Sequence, residues 1–453
     1  MLRDTLADLD RNLLERDVPV RLLLLAALAG EHVLLIGPPG TAKSELARRL
    51  HAAFVDAPYF ERLLTRFSVP EELFGPLSLT ALEQDRYERL TDGFLPTAQV
   101  AFLDEVFKAN SAILNALLTL LNEREFDNGA GRVRVPLVSV VGATNEVPED
   151  ESLQAFHDRF LLRVPVQPVG DASFAALLAL PADAAVLRRP RLRAGDLKPL
   201  RQAARQVQLP ATITTLLVQA RAWCAQQSVT VSDRRWRKLV ALLQVQAVSR
   251  GAAQVERWDL WLLPYALGAR PEQVQALVPW CDETVGQALP LDLQWLARAT
   301  KAFQKQLEIE TAAQPDDTAD HDGAGKLALA RAISGDAAGR DETLLRIVSD
   351  RARRRYNQRH VDARVAQVVE IRQRGSVALQ SAQDTAQAAL AGAGDHLWLP
   401  PSVLARIAAV HEANIASAQA LHDALQELEQ GFADLPVDAA AHERAPEPLQ
   451  WAP

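Results

Sequence analysis

The chain has 453 residues, of which 48% are hydrophobic and 23% are charged, and its formal net charge is −8. At about 150 residues per domain, this length predicts roughly three domains, each with enough apolar residues for its own core. A net acidic chain has no general attraction for nucleic acid or anionic lipid, and two cysteines exclude a disulfide framework and a four-cysteine zinc site. The N-terminus has no apolar signal-peptide core and the apolar runs are short, so we expect a cytoplasmic protein without membrane insertion.

The first 54 residues predict two helices, a strand, a glycine-rich loop and a third helix. Leucines recur at steps of four, three and four from Leu2 to Leu13, which places them on one helical face. A second helix is predicted to begin near Pro19 and to end at Gly30. The apolar run 32–36 is typical of a buried parallel strand, and it leads through the sequence GPPGTAKS into a helical pattern.

Two further apolar runs, 100–103 and 137–143, also end in polar residues. Asp104 and Glu105 follow the first run, and Asn145 follows the second; a helix is predicted between them from Ser111, capped by Asn110. Strands alternating with helices predict a parallel sheet with helices on both faces. The polar strand ends should then share the carboxyl edge of that sheet, where α/β folds bind their ligands.

The second half of the chain reads as helical. Prolines punctuate helical patterns over 172–275, residues 311–325 are small, acidic and rich in turn formers, and long amphipathic patterns over 341–390 and 402–430 predict an antiparallel helical bundle. We expect an α/β domain at 1–168, an all-α domain at 169–275, a helical bundle at 276–310 and 341–433, a linker or mobile insertion at 311–340 and a disordered tail at 434–453.

The strongest chemical signal is the octapeptide Gly37-Pro38-Pro39-Gly40-Thr41-Ala42-Lys43-Ser44. It matches the phosphate-loop pattern G-x-x-x-x-G-K-[ST], except that alanine replaces the second glycine. In such a loop backbone N–H groups wrap a triphosphate, Lys43 contacts the β- and γ-phosphates, and Ser44 gives its hydroxyl to Mg²⁺. An alanine at this position predicts a negative φ. The alternative, an ordinary Gly/Pro turn, is disfavoured by the strand and helix on either side.

Three polar residues at the ends of strands extend this signal. Asp104 can hold the water shell of Mg²⁺, and Glu105 can orient and deprotonate an attacking water. Adjacent carboxylates repel each other unless a cation lies nearby, and an acidic helix-capping turn would be the preferred interpretation without the phosphate loop upstream. Asn145 can hydrogen-bond the γ-phosphate or the attacking water, or it can be a turn residue before Pro148; the sequence leaves both open.

Arginines provide two further candidates. Arg159 can neutralise charge on a transferring phosphoryl group or can pair locally with Asp158, and the sequence does not separate these hypotheses. Ser232 is predicted to cap a helix whose first turn carries Arg234 and Arg235. Cations oppose the helix dipole at that end, so a bound anion would help to explain them, although a basic helix face is the alternative.

Other polar features predict no separate site. The basic run 351–359 could contact nucleic acid, but a solvated face of a bundle helix is favoured in an acidic chain. The nine histidines show no metal-binding spacing, so no protein-only metal site is predicted. Cys224 and Cys281 are interpreted as buried structural thiols.

The sequences GPPGTAKS, AFLDE, ATNEVP, HDRF and SDRRW, in this order and spacing, resemble the MoxR family of AAA+ ATPases, and more closely its branch typified by the regulatory ATPase RavA. The stretches 63–76, 86–96 and 113–124 also look like that branch. The resemblance implies an α/β P-loop AAA+ core, an all-α lid and a C-terminal helical bundle. In this family Ala42 is the usual variation of the loop. Residues 311–390 lack the strand pattern of the branch's β-rich module.

The resemblance also implies residue roles and partners. It makes Lys43 and Ser44 the centre of the Walker A loop, Asp104 and Glu105 the Walker B pair, Asn145 sensor 1, Arg159 the arginine finger, and Arg234, or its neighbour Arg235, sensor 2. ATP or ADP and Mg²⁺ would be bound, the metal through Ser44 and Asp104. A finger that reaches a neighbour's nucleotide implies a homo-hexameric ring, and family members typically act beside a partner with a von Willebrand factor A domain.

We therefore expect a Mg-dependent ATP hydrolase that works as a ring-forming, chaperone-like remodelling motor on a protein client. One alternative is an ATP-switched assembly scaffold with little turnover, in which Glu105→Gln would leave partner binding intact. Another is a phosphotransferase, which would show negligible ATPase activity without an added acceptor. Glu105 together with Asn145 and Arg159 favours water as the acceptor.

Overall fold

The computed structural model describes residues 1–129, 131–148, 150–181, 192–312, 356–438 and 446–449. The chain divides into a first unit, residues 1–288 with 390–407, and a second unit, residues 289–389 with 408–453. The helices of the described residues, numbered in chain order, are α1 Leu2–Asp10, α2 Asp17–Ala29, α3 Lys43–Ala52, α4 Pro70–Phe74, α5 Leu79–Leu82, α6 Ser111–Glu123, α7 Glu151–His157, α8 Asp171–Leu178, α9 Ala194–Ala204, α10 Ala211–Gln226, α11 Asp233–Ser249, α12 Leu263–Leu267, α13 Pro271–Val285, α14 Gln294–Thr311, α15 Gln358–Leu390 and α16 Pro401–Ala433.

A five-stranded, all-parallel sheet forms the centre of the first unit. Its strands lie in the order β2-β3-β6-β1-β7, and a separate antiparallel hairpin joins β4 to β5. The strands are β1 Val33–Ile36, β2 Tyr59–Leu63, β3 Val100–Asp104, β4 Glu125–Asn128, β5 Gly131–Arg134, β6 Ser139–Thr144 and β7 Leu162–Pro165. The predicted α/β parallel sheet is confirmed.

The three strands predicted from apolar runs are the three central strands of the sheet. Strand β1 is buried along its whole length, and so is β6, because helices cover both faces there. The sequence did not predict β2, β7 or the hairpin. The edge strand β2 has the sequence YFERL and is partly exposed, and β5 is exposed throughout, so neither carries an apolar run.

Local signals fix one end of each of two helices in the first unit. Helix α2 begins two residues before the predicted Pro19 and ends at Gly30, whose left-handed backbone at φ 79° lets its N–H reach the carbonyls of Ala26 and Ala27. Asn110 caps α6 as predicted, because its Oδ1 accepts from the N–H of Ile113 at 3.1 Å.

The helices after the sheet complete the first unit. Ser232 caps α11 as predicted, with its Oγ accepting from the N–H of Arg235 at 3.3 Å. Both cysteines are buried, which confirms the prediction for Cys224 and Cys281. The segment 390–407 is held to these helices through His396, whose Nε2 lies 3.1 Å from the fully buried carboxylate of Asp259.

The parts of α15 and α16 that belong to the second unit run antiparallel, as predicted. Arg372 pairs with Glu429, and Gly375 faces Leu425, so one helix ascends as the other descends. Helix α15 begins at residue 358, and the earlier part of the predicted 341–390 helix lies outside the described residues, as do 313–340 of the predicted linker and 351–355 of the basic run.

The expectation of a disordered tail is wrong for the described residues of 434–449. Leu435 is 3% exposed in the core of the second unit. The N–H of Asp438 donates to the carbonyl of Tyr356 at 2.8 Å, and Arg364 donates to the carbonyl of Glu447 at 3.0 Å. Leu449 packs against the same core. Among the described helices, none combines the length and apolar character needed to cross a membrane.

Candidate functional site

The glycine-rich loop leaves the carboxyl end of β1 and is fixed at both ends. The N–H of Gly37 donates to the carbonyl of Thr144 at 3.1 Å. A Cβ on Gly37 would lie 2.0 Å from the carbonyl oxygen of Val166, so only glycine fits there. Further along, the hydroxyl of Thr41 donates to the carbonyl of Pro38 at 2.9 Å, which closes the loop before α3 begins at Lys43.

The backbone of Ala42 differs from the prediction. Its φ is +67° and its ψ is 26°, a left-handed conformation, so the expectation of a negative φ is wrong. The loop has to turn sharply to enter α3, and the N–H of Leu46 then donates to the carbonyl of Ala42 at 3.0 Å. For an L-residue this conformation costs about 1–2 kcal/mol, which the surrounding contacts offset.

Consecutive backbone donors line the loop. Among the described residues, none accepts a hydrogen bond from the backbone N–H groups of Gly40, Thr41, Ala42, Lys43 or Ser44. These donors lie at the start of α3, where the helix dipole also favours negative charge. Such an arrangement fits the oxygens of a phosphate chain, so the loop is chemically suited to a nucleotide.

Lys43 brings three predicted residues together. Its side chain is buried, and Nζ donates to the carbonyls of Gly37 at 2.6 Å and Pro38 at 2.9 Å and to Oδ1 of Asn145 at 3.3 Å. Burial lowers the pKa of Lys43, and the charges of Asp104 and Glu105 oppose that shift. The phosphate loop, the acid pair and Asn145 therefore surround one point at the carboxyl edge of the sheet.

The carboxylate of Glu105 is held from two sides. Nδ2 of Asn145 donates to one of its oxygens, and Nζ of Lys108 lies 3.3 Å from the other. Its backbone is left-handed, with φ +52°, and its N–H donates to Oδ1 of Asp104 at 3.0 Å. A non-glycine residue in this conformation is uncommon. The sequence analysis missed Lys108, for which only its spacing of three residues from Glu105 was a signal.

The donor set of the site suits Mg²⁺ once a phosphate is present. Ser44 lies in the first turn of α3, and Asp104 ends β3, so both offer hard oxygen atoms at the same edge. No group of three or more His, Cys, Asp or Glu side chains that could hold a metal occurs in the part of the chain that the structure describes. Phosphate oxygens would therefore have to complete the coordination shell.

The predicted arginines lie elsewhere. Arg159 precedes β7, whose amino end is at Leu162, whereas the phosphate loop leaves the carboxyl end of the neighbouring parallel strand β1. Arg159 is half-buried, and its Nε has no hydrogen-bond partner among the described residues. The structure therefore does not bring Arg159 to the phosphate loop of its own chain.

Arg234 and Arg235 also contact the side of the sheet away from the loop. Arg235 is 3% exposed and donates to the carbonyls of Phe160, at 2.9 and 3.0 Å, and Leu161, at 3.1 Å. Arg234 is exposed, and its only hydrogen bond in the described residues goes to Oδ1 of Asn122 at 2.7 Å. Of this pair, only Arg234 has a guanidinium that another molecule could reach.

The structure adds Arg16, which no sequence motif indicated. It precedes α2, and its guanidinium reaches the carbonyl of Thr41 in the phosphate loop. A single arginine between two helices carries no pattern, so the tertiary structure alone identifies it.

Comparisons with known proteins show which family the chain resembles. Residues 1–200 match the family model described as the MoxR domain in the MoxR-vWA-beta-propeller ternary systems, and residues 212–280 match that of an AAA lid domain. Two relatives are uncharacterized proteins of Methanocaldococcus jannaschii. MJ0079 is 41% identical over 257 residues (56% of this chain, 67% of that protein), and MJ0812 is 40% identical over 276 residues (60% and 73%). The protein named Chaperone MoxR1 of Mycobacterium tuberculosis is 29% identical over 169 residues (36% and 44%).

Proposed function

Because the chain belongs to the MoxR-type family of AAA+ ATPases, we propose that it hydrolyses ATP with Mg²⁺ and acts as a ring-forming, chaperone-like remodelling motor. The convergence of unpartnered loop amides, Lys43, Glu105 and Asn145 at one edge of the sheet carries this proposal. A cradle of this kind binds a polyphosphate, and a carboxylate held beside it can act on water.

Each group at this edge has a role in the proposed reaction. The amides of Gly40 to Ser44 bind the phosphate chain, and Lys43 exchanges its loop carbonyls for β- and γ-phosphate oxygens. Glu105 accepts the proton of the attacking water, with Asn145 and Lys108 fixing the direction of its carboxylate. When bound through Ser44 and Asp104, Mg²⁺ would neutralise charge on the phosphate oxygens.

The arginines support assembly into a ring, which we propose to be a homo-hexamer. Arg159 lies at the amino side of the sheet, away from the phosphate loop of its own chain, so we propose that its guanidinium acts on a nucleotide bound to a second copy. We propose that Arg234, whose guanidinium is exposed, also contacts a second copy. We assign sensor 2 to Arg234 because the guanidinium of Arg235 donates to buried carbonyls. A cation supplied in this way raises phosphoryl-transfer rates by about 10³–10⁵-fold.

The partner and branch remain predictions. A partner with a von Willebrand factor A domain is supported by the description of the matching family model, which also mentions a β-propeller. The chaperone-like role is supported by the name of the mycobacterial relative. The RavA-like branch and the cytoplasmic location rest on the sequence alone. An ATP-switched scaffold with little turnover is the second candidate.

The test compares the full-length wild-type chain with Glu105→Gln and with Glu83→Gln, an exposed glutamate that serves as the matched control. We expect steady-state ATP hydrolysis that EDTA abolishes, a kcat at least about 10²-fold lower in Glu105→Gln, and unchanged kcat in Glu83→Gln. ATP binding should persist in Glu105→Gln, so a pulldown with it should enrich ATP-bound rings with their partner.

Each alternative gives a different result. A chain that stays monomeric with ATP, measured by light scattering, contradicts the motor. A wild-type chain that assembles and binds its partner with ATP but does not turn over supports the scaffold. Hydrolysis that appears only with an added small-molecule acceptor supports a phosphotransferase.

A further inference from the structure

Arg16 is a buried arginine whose hydrogen bonds all go to main-chain carbonyls. It is 6% exposed, and its Nη1 donates to Glu15 at 2.9 Å, its Nη2 to Gln167 at 2.7 Å, and its Nε to Thr41 at 3.4 Å. No carboxylate of the described residues lies within ion-pair distance of this guanidinium. The side chain thus joins three segments: the N-terminal segment before α2, the chain leaving β7, and the phosphate loop.

The hydrogen bond from Arg16 to Thr41 restrains the peptide plane between Thr41 and Ala42. The carbonyl of Thr41 and the N–H of Ala42 belong to the same peptide bond, and the structure contains no cis peptide among its described residues. In a trans peptide these two groups point in opposite directions. A donor that holds the carbonyl on one side therefore fixes the direction of the N–H on the other side, where it has no protein acceptor among the described residues.

This plane needs support because Ala42 is left-handed. Its φ of +67° is a conformation that glycine adopts freely and alanine does not. Relaxation of Ala42 to a negative φ would rotate the Thr41–Ala42 peptide and turn its N–H away from the other loop donors. Among the described residues, Arg16 is the only one whose charged side chain donates to the carbonyl of Thr41.

We propose that Arg16 is a positioning residue of the phosphate loop, which holds the Thr41–Ala42 peptide so that the N–H of Ala42 faces the phosphate chain. This inference rests on the proposed nucleotide site. Gln167 and Glu15 anchor the guanidinium, so the loop is braced against both β7 and the N-terminal segment. An arginine is suited to this task because its planar head presents several donors at fixed angles, whereas a lysine ammonium is a single point donor.

A double-mutant cycle tests the proposal with a fluorescent ADP analogue and the full-length chain. Arg16→Ala should weaken nucleotide binding about tenfold or more, since a charge-assisted hydrogen bond is lost at the loop. Ala42→Gly in the Arg16→Ala background should recover most of that affinity, because glycine holds a positive φ without support. Arg11→Ala, an exposed arginine of the same segment that pairs with Asp8, is the matched control and should bind as the wild type does.

A second measurement does not depend on the nucleotide. The N–H of Leu46 donates to the carbonyl of Ala42, so its hydrogen exchange reports the loop conformation in the free chain. Exchange at Leu46 should be at least several-fold faster in Arg16→Ala and should return toward the wild-type rate when Ala42→Gly is added.

Three results would overturn the inference: wild-type affinity in Arg16→Ala, an equal loss of affinity in the Ala42→Gly background, or unchanged exchange at Leu46. If Arg16→Ala does not fold, as judged by circular dichroism, the same cycle is run with Arg16→Lys, which should also bind weakly. An Arg16→Lys variant with wild-type affinity and wild-type hydrogen exchange would contradict the role of the planar guanidinium. A wild-type chain that does not bind ADP refutes the proposed function, and the exchange data then decide this inference alone.

Discussion

The adjacent arginines at the start of α11 provide a sharp test of structure against function. Arg235 is buried and bonded to the carbonyls of Phe160 and Leu161, while Arg234 is exposed and bonded to Asn122. The two positions differ by one residue in the chain and carry the same side chain. Replacing each in turn therefore separates a guanidinium that holds the fold from one available to a neighbouring subunit.

The loss of unfolding free energy in Arg235→Ala follows from the two carbonyls that the substitution leaves without a donor. Phe160 and Leu161 are 0% and 1% exposed, so two buried carbonyls lose their donor, at about 1–3 kcal/mol each. Relief from burying a guanidinium, whose pKa burial lowers to about 10, offsets part of this cost. We expect a net loss of about 2–4 kcal/mol in the free energy of unfolding. Arg234→Ala should change it by less than about 0.5 kcal/mol, because the side chain is exposed.

Urea unfolding, followed by circular dichroism and tryptophan fluorescence, measures both variants, and ATP turnover is measured on the folded fraction. Arg234→Ala should fold normally and lose activity in the assembled ring. Arg235→Met, which keeps the apolar stem, should be destabilised nearly as much as Arg235→Ala. Equal stability losses at the two positions, or a loss below about 1 kcal/mol for Arg235→Ala, would refute this interpretation of the hydrogen bonds.

Three further predictions follow from buried groups. Lys43→Ala should raise the Kd for ATP at least about 10²-fold in an equilibrium binding assay without unfolding the chain, and unchanged affinity would remove Lys43 from the site. Burial and nearby guanidinium groups lower the pKa of His157 to about 3. The unfolded chain binds this proton below about pH 6.5 and the folded chain does not, so stability falls on acidification, by about 2 kcal/mol between pH 6.5 and 5. The difference in urea unfolding between pH 7 and pH 5 should shrink in His157→Phe. Burial raises the pKa of Cys224 to about 11 and also that of Cys281, so at pH 8 a thiol reagent should modify both only after unfolding; rapid labelling of the native chain would contradict their burial.

The sequence predicted best those elements whose physics is local. Strands β1, β3 and β6 are buried on both faces and therefore appear as apolar runs, and the caps at Gly30, Asn110 and Ser232 follow from residue chemistry within one helical turn. The edge strand β2 and the exposed hairpin were missed because charged residues interrupt their apolar residues, so neither carries an apolar run.

The candidate site shows the same division. The phosphate loop, the acid pair and Asn145 could be predicted because each follows a strand, and parallel strands end at one edge. The φ of Ala42 could not, because a backbone angle that costs energy locally is imposed by contacts from residues distant in the chain. The sequence also left open which of Arg234 and Arg235 is buried, since only packing decides which of two neighbouring side chains is buried.

The sequence by itself determined the strand–loop–helix unit and the identity of the residues at the sheet edge, because these depend on residue type and short-range spacing. The tertiary structure decided which distant groups meet that edge. Arg16 is brought to the loop across 25 residues of chain, while Arg159 is kept away from it. Contacts between residues far apart in the sequence depend on how whole elements pack, and no local pattern of residues records that packing.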